Sequence, residues 1–374
     1  MSKTYDTIII GAGIAGASTA YALTQKGQKV LVLDKRGIAS GGSGAAGAFV
    51  SPKIGKGSPL QTLTNASFSF AKDFYLSTCP TLFHQTGVIR IPKDKADAKK
   101  FSEYESFNEN KYEIYKKEQL QEQGLSTEFE SFYFPEAGAC DAKEVCEYLL
   151  SDIEVLKYEV KEITQENGLW NVGEYITKNL VLATGYESDL ADLRYMGIKG
   201  TWGTRGDFSS NLALDVSMHQ SMSVGANVDG IIKLGATHEK EVKEVIPCKE
   251  EQALLLKEKA TSLIDTSDLE LKKTFCGMRA GSKDYFPLVG KVIDVPFMLE
   301  TYPAVIRGAK PEMKYIDNLF ICNGLGGRGF VFAPLMAKML AECIVEAKEV
   351  DIRVEPDRLF LKWCRKSPQL DALR

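Results

Sequence analysis

Residues 5–36, "YDTIIIGAGIAGASTAYALTQKGQKVLVLDKR", decide the fold. They begin with a continuous apolar run, the pattern of a strand that is buried on both faces of a parallel sheet. Gly11, Gly13 and Gly16 follow in the spacing G-x-G-x-x-G and lead into an apolar helix. The segment "KVLVLD" then predicts a second strand that ends at Asp34. Strand, glycine turn, helix and strand in this order predict a Rossmann-like α/β domain.

Each residue type in this motif has a mechanical role in holding a dinucleotide. Gly11 permits a tight turn, Gly13 lets a pyrophosphate approach the backbone, and Gly16 lets the helix pack closely on the strand. The pyrophosphate would lie at the helix N-terminus, and Asp34 could accept hydrogen bonds from the adenosine ribose. A glycine turn in an unrelated α/β domain is the alternative. The predicted binding residues in this segment are Gly11, Gly13, Ile14, Ala15, Gly16, Asp34 and Lys35.

Three later segments could contact the same cofactor: "ASGGSGAAG" at 39–47, "ATG" at 183–185 and "GLGGRGF" at 324–330. Repeated contacts of this kind favour FAD, which is long and lies extended across a sheet. The helix N-terminus after the last loop could also hold the partial negative charge of a reduced flavin. A plain strand-to-helix connection is the alternative for that loop. The predicted residues are Ser43, Gly44, Gly47, Ala183, Thr184, Gly185, Gly326, Gly327, Arg328, Gly329 and Phe330.

Composition narrows the class of protein. The 374 residues suggest two domains or one large composite. Lys plus Arg is 46 against 50 for Asp plus Glu, so a nucleic-acid site would have to be a local patch. Eight scattered cysteines predict free thiols in a reducing cytoplasm, and no apolar run approaches the ~20 residues of a membrane span. His84, His219 and His238 show no metal spacing and are predicted to be surface or packing residues.

The turn "GMRAGSKDYFPLVG" at 277–290 places Arg279 between glycines and shortly before Lys283 and Asp284, so Arg279 is a candidate for binding an anion. A structural arginine paired with Asp284 is the alternative. Lys283 could bind the same anion or pair with Asp284, and Tyr285 could line a pocket or pack in the core.

Arg328, in the last glycine loop, is a second candidate for contact with substrate or flavin. A structural role at the helix end is its alternative. The candidate catalytic residues are Arg279, Arg328 and Lys283.

The order of GAGIAG, ASGGSG, ATG, GMRAGSKD and GLGGRGF resembles the D-amino acid oxidase and glycine oxidase superfamily over almost the whole chain. The resemblance implies an FAD-dependent oxidoreductase that acts on CH–NH bonds and whose imine product hydrolyses in water. In the glycine oxidases a "GxRPGTKD"-like turn supplies the arginine that pairs with the substrate carboxylate, and Arg279 matches it. Gly277 stands where sarcosine oxidases carry the cysteine that bonds flavin, which implies non-covalent FAD.

Within this superfamily, five segments are similar to the oxidoreductase half of the MnmC family of bifunctional tRNA-modifying enzymes. They are "GGSGAAGAFVSPKIGKGSPLQTLTNASFSFAKDFY", "TWGTRGDFS", "CGMRAGSKDYFPLVG", "LFICNGLGGRGFVFAPLMAKMLA" and "EPDRLFLKWCRK". This resemblance implies oxidation of the carboxymethylaminomethyl group of the tRNA wobble uridine, which releases glyoxylate and leaves aminomethyl uridine. This chain shows no methyltransferase motif, so a separate methyltransferase would act on the product. Among the basic clusters, the loop at Lys53 and Lys56 is the best placed for tRNA, and a solvated face is the alternative for each cluster.

The same resemblance implies an FAD-binding domain from residues 1–76, 140–195 and 276–374. Residues 77–139 and 196–275 would form a smaller, mostly antiparallel substrate domain. Three other functions stay open: a small-molecule oxidase for glycine, sarcosine or a D-amino acid; a dehydrogenase that passes electrons to a carrier; and a flavin-binding protein without activity.

Overall fold

The computed structural model describes residues 3–187, 189–368 and 370. Its strands are β1 (Lys3–Ile10), β2 (Val30–Asp34), β3 (Phe49–Val50), β4 (Phe83–His84), β5 (Val88–Arg90), β6 (Glu113–Tyr115), β7 (Ser131–Phe134), β8 (Gly138–Cys140), β9 (Glu154–Lys157), β10 (Thr164–Glu166), β11 (Leu169–Val172), β12 (Tyr175–Leu182), β13 (Lys199–Ser209), β14 (Ser217–His219), β15 (Ser223–Val224), β16 (Ile231–Gly235), β17 (Glu270–Gly281), β18 (Leu288–Ile293) and β19 (Tyr315–Asn323). Its α-helices are α1 (Ile14–Thr24), α2 (Pro59–Thr78), α3 (Lys95–Tyr104), α4 (Lys117–Glu122), α5 (Ala142–Leu149), α6 (Glu250–Ala260), α7 (Val295–Thr301), α8 (Gly329–Glu346) and α9 (Phe360–Lys366). Short 3₁₀ segments include Gly326–Arg328 and Pro356–Leu359.

The first sheet has a parallel core in the order β9-β2-β1-β12-β19. Strand β11 pairs antiparallel with β12 and β10 pairs antiparallel with β11, which extends the sheet, and β18 pairs antiparallel with β19. Side chains of β1 alternate between two apolar layers: Ile9 packs on the side of α1 and α8, whereas Ile8 and Ile10 pack on the side of α9. Both faces of β1 are therefore buried, which explains its continuous apolar sequence.

The second sheet has the order β17-β13-β16-β15-β14-β5-β7-β6 and is antiparallel except where β14 pairs with β5. Its longest ladder joins β13 to β17, from Lys199 opposite Gly281 to Ser209 opposite Glu270. Helix α6 packs on one face of this sheet. The prediction of a Rossmann-like α/β fold with a mostly antiparallel second sheet is confirmed. Strand β17 crosses the predicted domain boundary at residue 276, and the domain ranges themselves stay a prediction.

Two features connect the parts of the chain. The buried hydroxyl of Tyr75 in α2 donates a hydrogen bond to the carbonyl of Phe330 at the start of α8, 2.9 Å away. A disulfide joins Cys248 to Cys276, whose Cα atoms are 5.6 Å apart, so the prediction of free thiols is wrong for this pair. None of the helices within the described ranges combines the length and the apolarity that crossing a membrane requires.

Candidate active site

A cavity of about 1000 Å³ lies between the carboxyl ends of the parallel strands and the second sheet. The parallel strands β1, β2 and β12 contribute Ile10, Leu33 and the residues that follow them, and β17 contributes Arg279. Ligands of open α/β sheets bind outside the carboxyl ends of the strands. The position and size of the cavity therefore fit an extended cofactor together with a substrate.

The glycine turn at the end of β1 is closely packed against β12. Gly11 has φ +113°, and a Cβ on it would lie 2.3 Å from the carbonyl oxygen of Ala183. A Cβ on Gly16 would lie 1.8 Å from the carbonyl oxygen of Gly11. These two glycines are therefore required by the packing of the chain on itself.

Gly13 faces the cavity instead. A Cβ on Gly13 would lie 2.9 Å from Oγ of Ser43, and that oxygen accepts a hydrogen bond from the amide of Ile14. The small-residue loop is thus tied to the first turn of α1, where free backbone amides favour a phosphate group. Thr184, which also lines the cavity, has a buried Oγ1 without a hydrogen-bond partner. The Gly13 backbone that lines the cavity and the unsatisfied hydroxyl of Thr184 both fit a bound dinucleotide.

Asp34 supports the turn that it follows. One carboxylate oxygen accepts from the amide of Ala12 at 2.9 Å. The other accepts from the amides of Arg36 and Gly37, and from Oγ of Ser40. The first oxygen still has a lone pair for a ribose hydroxyl.

Nearly all the residues expected to bind the cofactor meet in this one cavity. Gly16 and Gly44 lie behind it, and a Cβ on Gly44 would meet the carbonyl oxygen of Ala39 at 2.2 Å. The residues that line it are Gly11, Gly13, Ile14, Ala15, Asp34, Lys35, Ser43, Gly47, Ala183, Thr184, Gly185, Gly326, Gly327, Arg328, Gly329 and Phe330.

Arg279 projects from β17 into the cavity across the backbone of β13. A Cβ on Gly203 would lie 2.4 Å from a guanidinium nitrogen of Arg279, so β13 needs a glycine there. The guanidinium donates to the carbonyl of Thr237 at 3.1 Å, and burial lowers the pKa of Arg279. Asp284 instead accepts two hydrogen bonds from Arg358, from Nε to Oδ2 and from Nη2 to Oδ1, at 3.0 Å each. The alternative of an Arg279–Asp284 pair is therefore wrong.

The strand that carries Arg279 also contacts the cofactor loop directly. A Cβ on Gly42 would lie 2.5 Å from the carbonyl oxygen of Met278, and one on Gly277 would lie 2.9 Å from Cα of Gly42. The two backbones can approach this closely because both positions are glycine. This contact holds the Arg279 guanidinium beside the loop expected to contact the cofactor.

Three further cations line the same end of the cavity. Arg328 donates to the carbonyl of Ser51 at 3.1 Å, and burial lowers its pKa to about 10. Burial, followed by the charge of Arg328, lowers the pKa of Arg90 to about 9. The pKa of Lys53 is lowered by burial and by Arg328 and Arg90. Across the described ranges, no carboxylate lies within 4.0 Å of the charged nitrogens of Lys53, Arg90, Arg279 or Arg328.

The opposite end of the cavity contains acids and balanced charges. Glu187 forms ion pairs with Lys35 at 2.5 Å and with Arg36 at 3.2 Å. Glu159 and Asp189 line the same end, beyond β9 and β12. The cavity therefore has one end where acids and cations occur together, with Glu187 bound to Lys35 and Arg36, and another whose cations have no carboxylate within 4.0 Å in the described part of the chain.

Three residues that line the cavity, Arg90, His219 and His238, were not predicted to belong to the site. Arg90 breaks an apolar strand, and that lone charge was the available signal. His219 and His238, which were interpreted as surface or packing residues, line the cavity. Burial first, and then Arg90 and Arg328, lower the pKa of His219 to about 2. Burial and Arg279 lower the pKa of His238, so the charged form of each imidazole is disfavoured.

Two residues of the 277–290 turn differ in their position. Lys283 is exposed and is absent from the cavity lining. Tyr285 lines the cavity mouth, is 76% exposed and has φ +69°, so it does not pack in the core. A bulky residue with positive φ is strained, and such strain tends to persist at functional sites.

The chain matches the family model described as FAD dependent oxidoreductase over residues 6–343. It is 26% identical over 357 residues to the tRNA 5-methylaminomethyl-2-thiouridine biosynthesis bifunctional protein MnmC of Dichelobacter nodosus, covering 89% of this chain and 53% of that protein. The protein of the same name from Vibrio vulnificus (strain YJ016) is 28% identical over 415 residues, covering 98% and 60%. The chain thus spans between half and three-fifths of the length of these relatives.

Solved structures share the fold. Glycine oxidase from Bacillus cereus ATCC 14579 superposes with a TM-score of 0.75 at 21% identity, covering 92% of this chain and 96% of that chain. L-proline dehydrogenase from P. horikoshii gives 0.73 at 18% identity, covering 96% and 98%.

Proposed function

The chain belongs to the family of FAD-dependent oxidoreductases, and from that premise we propose that it oxidises the glycine-like secondary amine of carboxymethylaminomethyl uridine at the tRNA wobble position. The products would be aminomethyl uridine and glyoxylate. The observation that carries the proposal is Arg279, a partly buried arginine that lines the cavity and whose carboxylate neighbour in sequence, Asp284, is already bound by Arg358.

The chemistry needs placement more than proton transfer. When bound, FAD would supply the two-electron oxidant for the glycine methylene; the amine would lose its N–H proton as the methylene loses a hydride, which leaves an imine. Water then adds to the C=N bond and releases glyoxylate. Arg279 would bind the carboxylate through two parallel hydrogen bonds and so hold the methylene in one place. Gly42 and Gly277 would keep that guanidinium next to the cofactor loop.

Protonation of the cavity histidines is suppressed by their surroundings. The pKa values of His219 and His238 are both lowered, first by burial and then by neighbouring cations. Neither would therefore add a positive charge beside the amine, which must itself be neutral to be oxidised. Arg328 would contact substrate or flavin from the start of α8. Lys283, being exposed outside the cavity lining, would not bind the carboxylate.

Two observations support a tRNA substrate. The relatives at 26–28% identity carry the name of a tRNA 5-methylaminomethyl-2-thiouridine biosynthesis protein. Tyr285 presents an exposed ring at the cavity mouth, and splayed nucleobases of RNA are commonly held by stacking on such rings. The substrate would place the reaction in the cytoplasm, and a separate methyltransferase would complete the modification. A small-molecule amino acid oxidase or dehydrogenase is the second candidate, favoured by the net charge of −4, which gives tRNA no general attraction.

The deciding experiment mixes the FAD-loaded protein, without oxygen, with tRNA bearing carboxymethylaminomethyl uridine, and separately with glycine and with sarcosine. The proposal expects bleaching of the flavin absorbance by the tRNA at micromolar concentration, with aminomethyl uridine in the digested product. Bleaching by a free amino acid alone would establish the second candidate instead.

A further inference from the structure

The cations of the cavity outnumber the negative charges expected there. Lys53, Arg90, Arg279 and Arg328 all line one end. The proposed substrate carboxylate would neutralise Arg279, and a reduced flavin would place partial negative charge near Arg328 at the start of α8. Arg90 and Lys53 would then still have no counter-charge. Both side chains are partly buried, and charges withdrawn from water are normally paired, because desolvation of an unpaired charge is unfavourable.

Arg90 is held in position by strand pairing. It is the last residue of β5 and lies directly opposite His219 of β14, whose Nδ1 is 2.8 Å from Oγ of Ser223. Its Nε is buried without a hydrogen-bond partner, and the guanidinium makes no hydrogen bond or ion pair with any described residue. Asp97 is the acid that acts on the pKa of Arg90, yet it lies beyond ion-pair distance.

Lys53 lines the same cavity from the loop after β3. Its backbone amide donates to the side chain of Asn65 at 2.8 Å, which fixes the loop after β3 against α2. Its ammonium group has no hydrogen bond or ion pair among the described residues, and Arg90 and Arg328 both act on its pKa. Two cations on separate elements therefore line the same cavity, and neither has an ion-pair partner among the described residues.

We infer that Arg90 and Lys53 form a second anion-binding subsite, which takes a negatively charged oxygen group of the substrate other than the carboxylate at Arg279. The inference rests on the proposed binding of a carboxylate by Arg279. The shared chemistry of the second group is that of a phosphate or a carboxylate, either of which a guanidinium binds with two oxygens. A wobble nucleotide supplies the first, and an amine with two carboxymethyl arms supplies the second.

The test uses FAD-loaded protein and needs no turnover. We would titrate it with acetate and with malonate, succinate, glutarate and adipate, and follow the flavin absorbance. One chain length should bind at least about tenfold more tightly than acetate, the scale of one charge-assisted contact. Arg90→Gln and Lys53→Gln should each reduce that advantage severalfold while acetate affinity and flavin content stay unchanged. Arg90→Lys should restore part of it.

Lys93→Gln is the matched control, because Lys93 is an exposed cation just beyond β5 that does not line the cavity. It should behave like the parent protein. The inference is wrong if no dicarboxylate binds more tightly than acetate, or if Arg90→Gln weakens acetate and dicarboxylates equally. Loss of flavin from both Arg90→Gln and Arg90→Lys would also overturn it, since Arg90 would then serve the cofactor.

Two pairs of substrates distinguish the source of the second anion. A gain in kcat/KM for carboxymethylaminomethyl uridine 5′-monophosphate over its nucleoside, lost in Arg90→Gln, would identify a phosphate. The same pattern for iminodiacetate over glycine would identify a carboxylate. A gain in neither pair contradicts the subsite. Because the dicarboxylate titration is independent of turnover, it still decides the inference if the tRNA proposal fails.

Discussion

The two ends of the cavity treat their charged groups in opposite ways. At the end beyond β2, Asp34 accepts hydrogen bonds from its own chain, and Glu187 pairs with Lys35 and Arg36. At the other end, Arg279 and Arg328 each donate to one backbone carbonyl and have no carboxylate partner among the described residues. The residues at the first end therefore stabilise the cofactor-binding turn, called the cofactor cradle below, whereas the arginines at the other end are available to bind a ligand.

The largest effect is expected from a substitution that disrupts the glycine turn of the cofactor cradle. Gly11→Ala would place a Cβ 2.3 Å from the carbonyl oxygen of Ala183 at φ +113°, so the ends of β1 and β12 would have to separate. We expect loss of FAD on purification and activity below detection, measured by flavin absorbance and turnover. Gly27→Ala is the control: Gly27 also has positive φ, but a Cβ there meets nothing within 4 Å. It should retain FAD and lose ~1 kcal/mol of stability. Retention of FAD by Gly11→Ala would contradict this account of the turn.

The next largest effect is expected from removing a cation at the end of the cavity where the arginines have no carboxylate partner. Arg279→Met should lower kcat/KM by roughly 10²–10³-fold, because a substrate carboxylate would lose its charged partner. FAD should stay bound, since the cofactor cradle is built elsewhere. Arg358→Met removes the partner of Asp284 and should chiefly lower the melting temperature. If flavin is lost together with activity in Arg279→Met, the arginine has a structural role.

A smaller effect concerns the mouth of the cavity. Tyr285→Gly should weaken tRNA binding about 5- to 100-fold through lost stacking, while glycine fits the φ of +69° without strain. Tyr285→Phe should bind tRNA like the parent protein. The melting temperature of Tyr285→Gly should not fall. Equal tRNA affinity in all three proteins would remove Tyr285 from the proposed interface.

The smallest effect is expected on the pH dependence of the protein's stability, through His219. The pKa of His219 is lowered to about 2, so below its ordinary value near 6.5 the unfolded chain takes up a proton that the folded chain does not. As the pH is lowered below 6.5, the free energy of unfolding should therefore decrease, and His219 should contribute at most about 1.4 kcal/mol per pH unit to this decrease. His219→Asn should show a shallower fall in urea titrations at saturating FAD. An unchanged slope would show that His219 charges freely in the folded protein.

The cradle could be predicted from sequence because its requirements are local. Gly11, Gly13 and Gly16 lie within one turn, and Asp34 ends the next strand. Arg279 was identified by resemblance, but its freedom from Asp284 depends on Arg358, which lies 74 residues away. Arg90 could not be assigned, because its position beside His219 arises from the pairing of β5 with β14. Contacts between distant segments follow from tertiary pairing, which no short pattern encodes.

The Asp284–Arg358 pair has a consequence for how the protein is made. The cavity takes backbone from Gly11, a loop cation from Lys53, a strand end at Arg90 and the last glycine loop at Arg328. The turn beside Arg279 is then fastened by a residue still further along, Arg358. A chain emerging from the ribosome can therefore form its first sheet strands early, yet it gains the complete site only after residue 358 has been released. Synthesis that stops before that point would yield a nascent enzyme without its finished pocket.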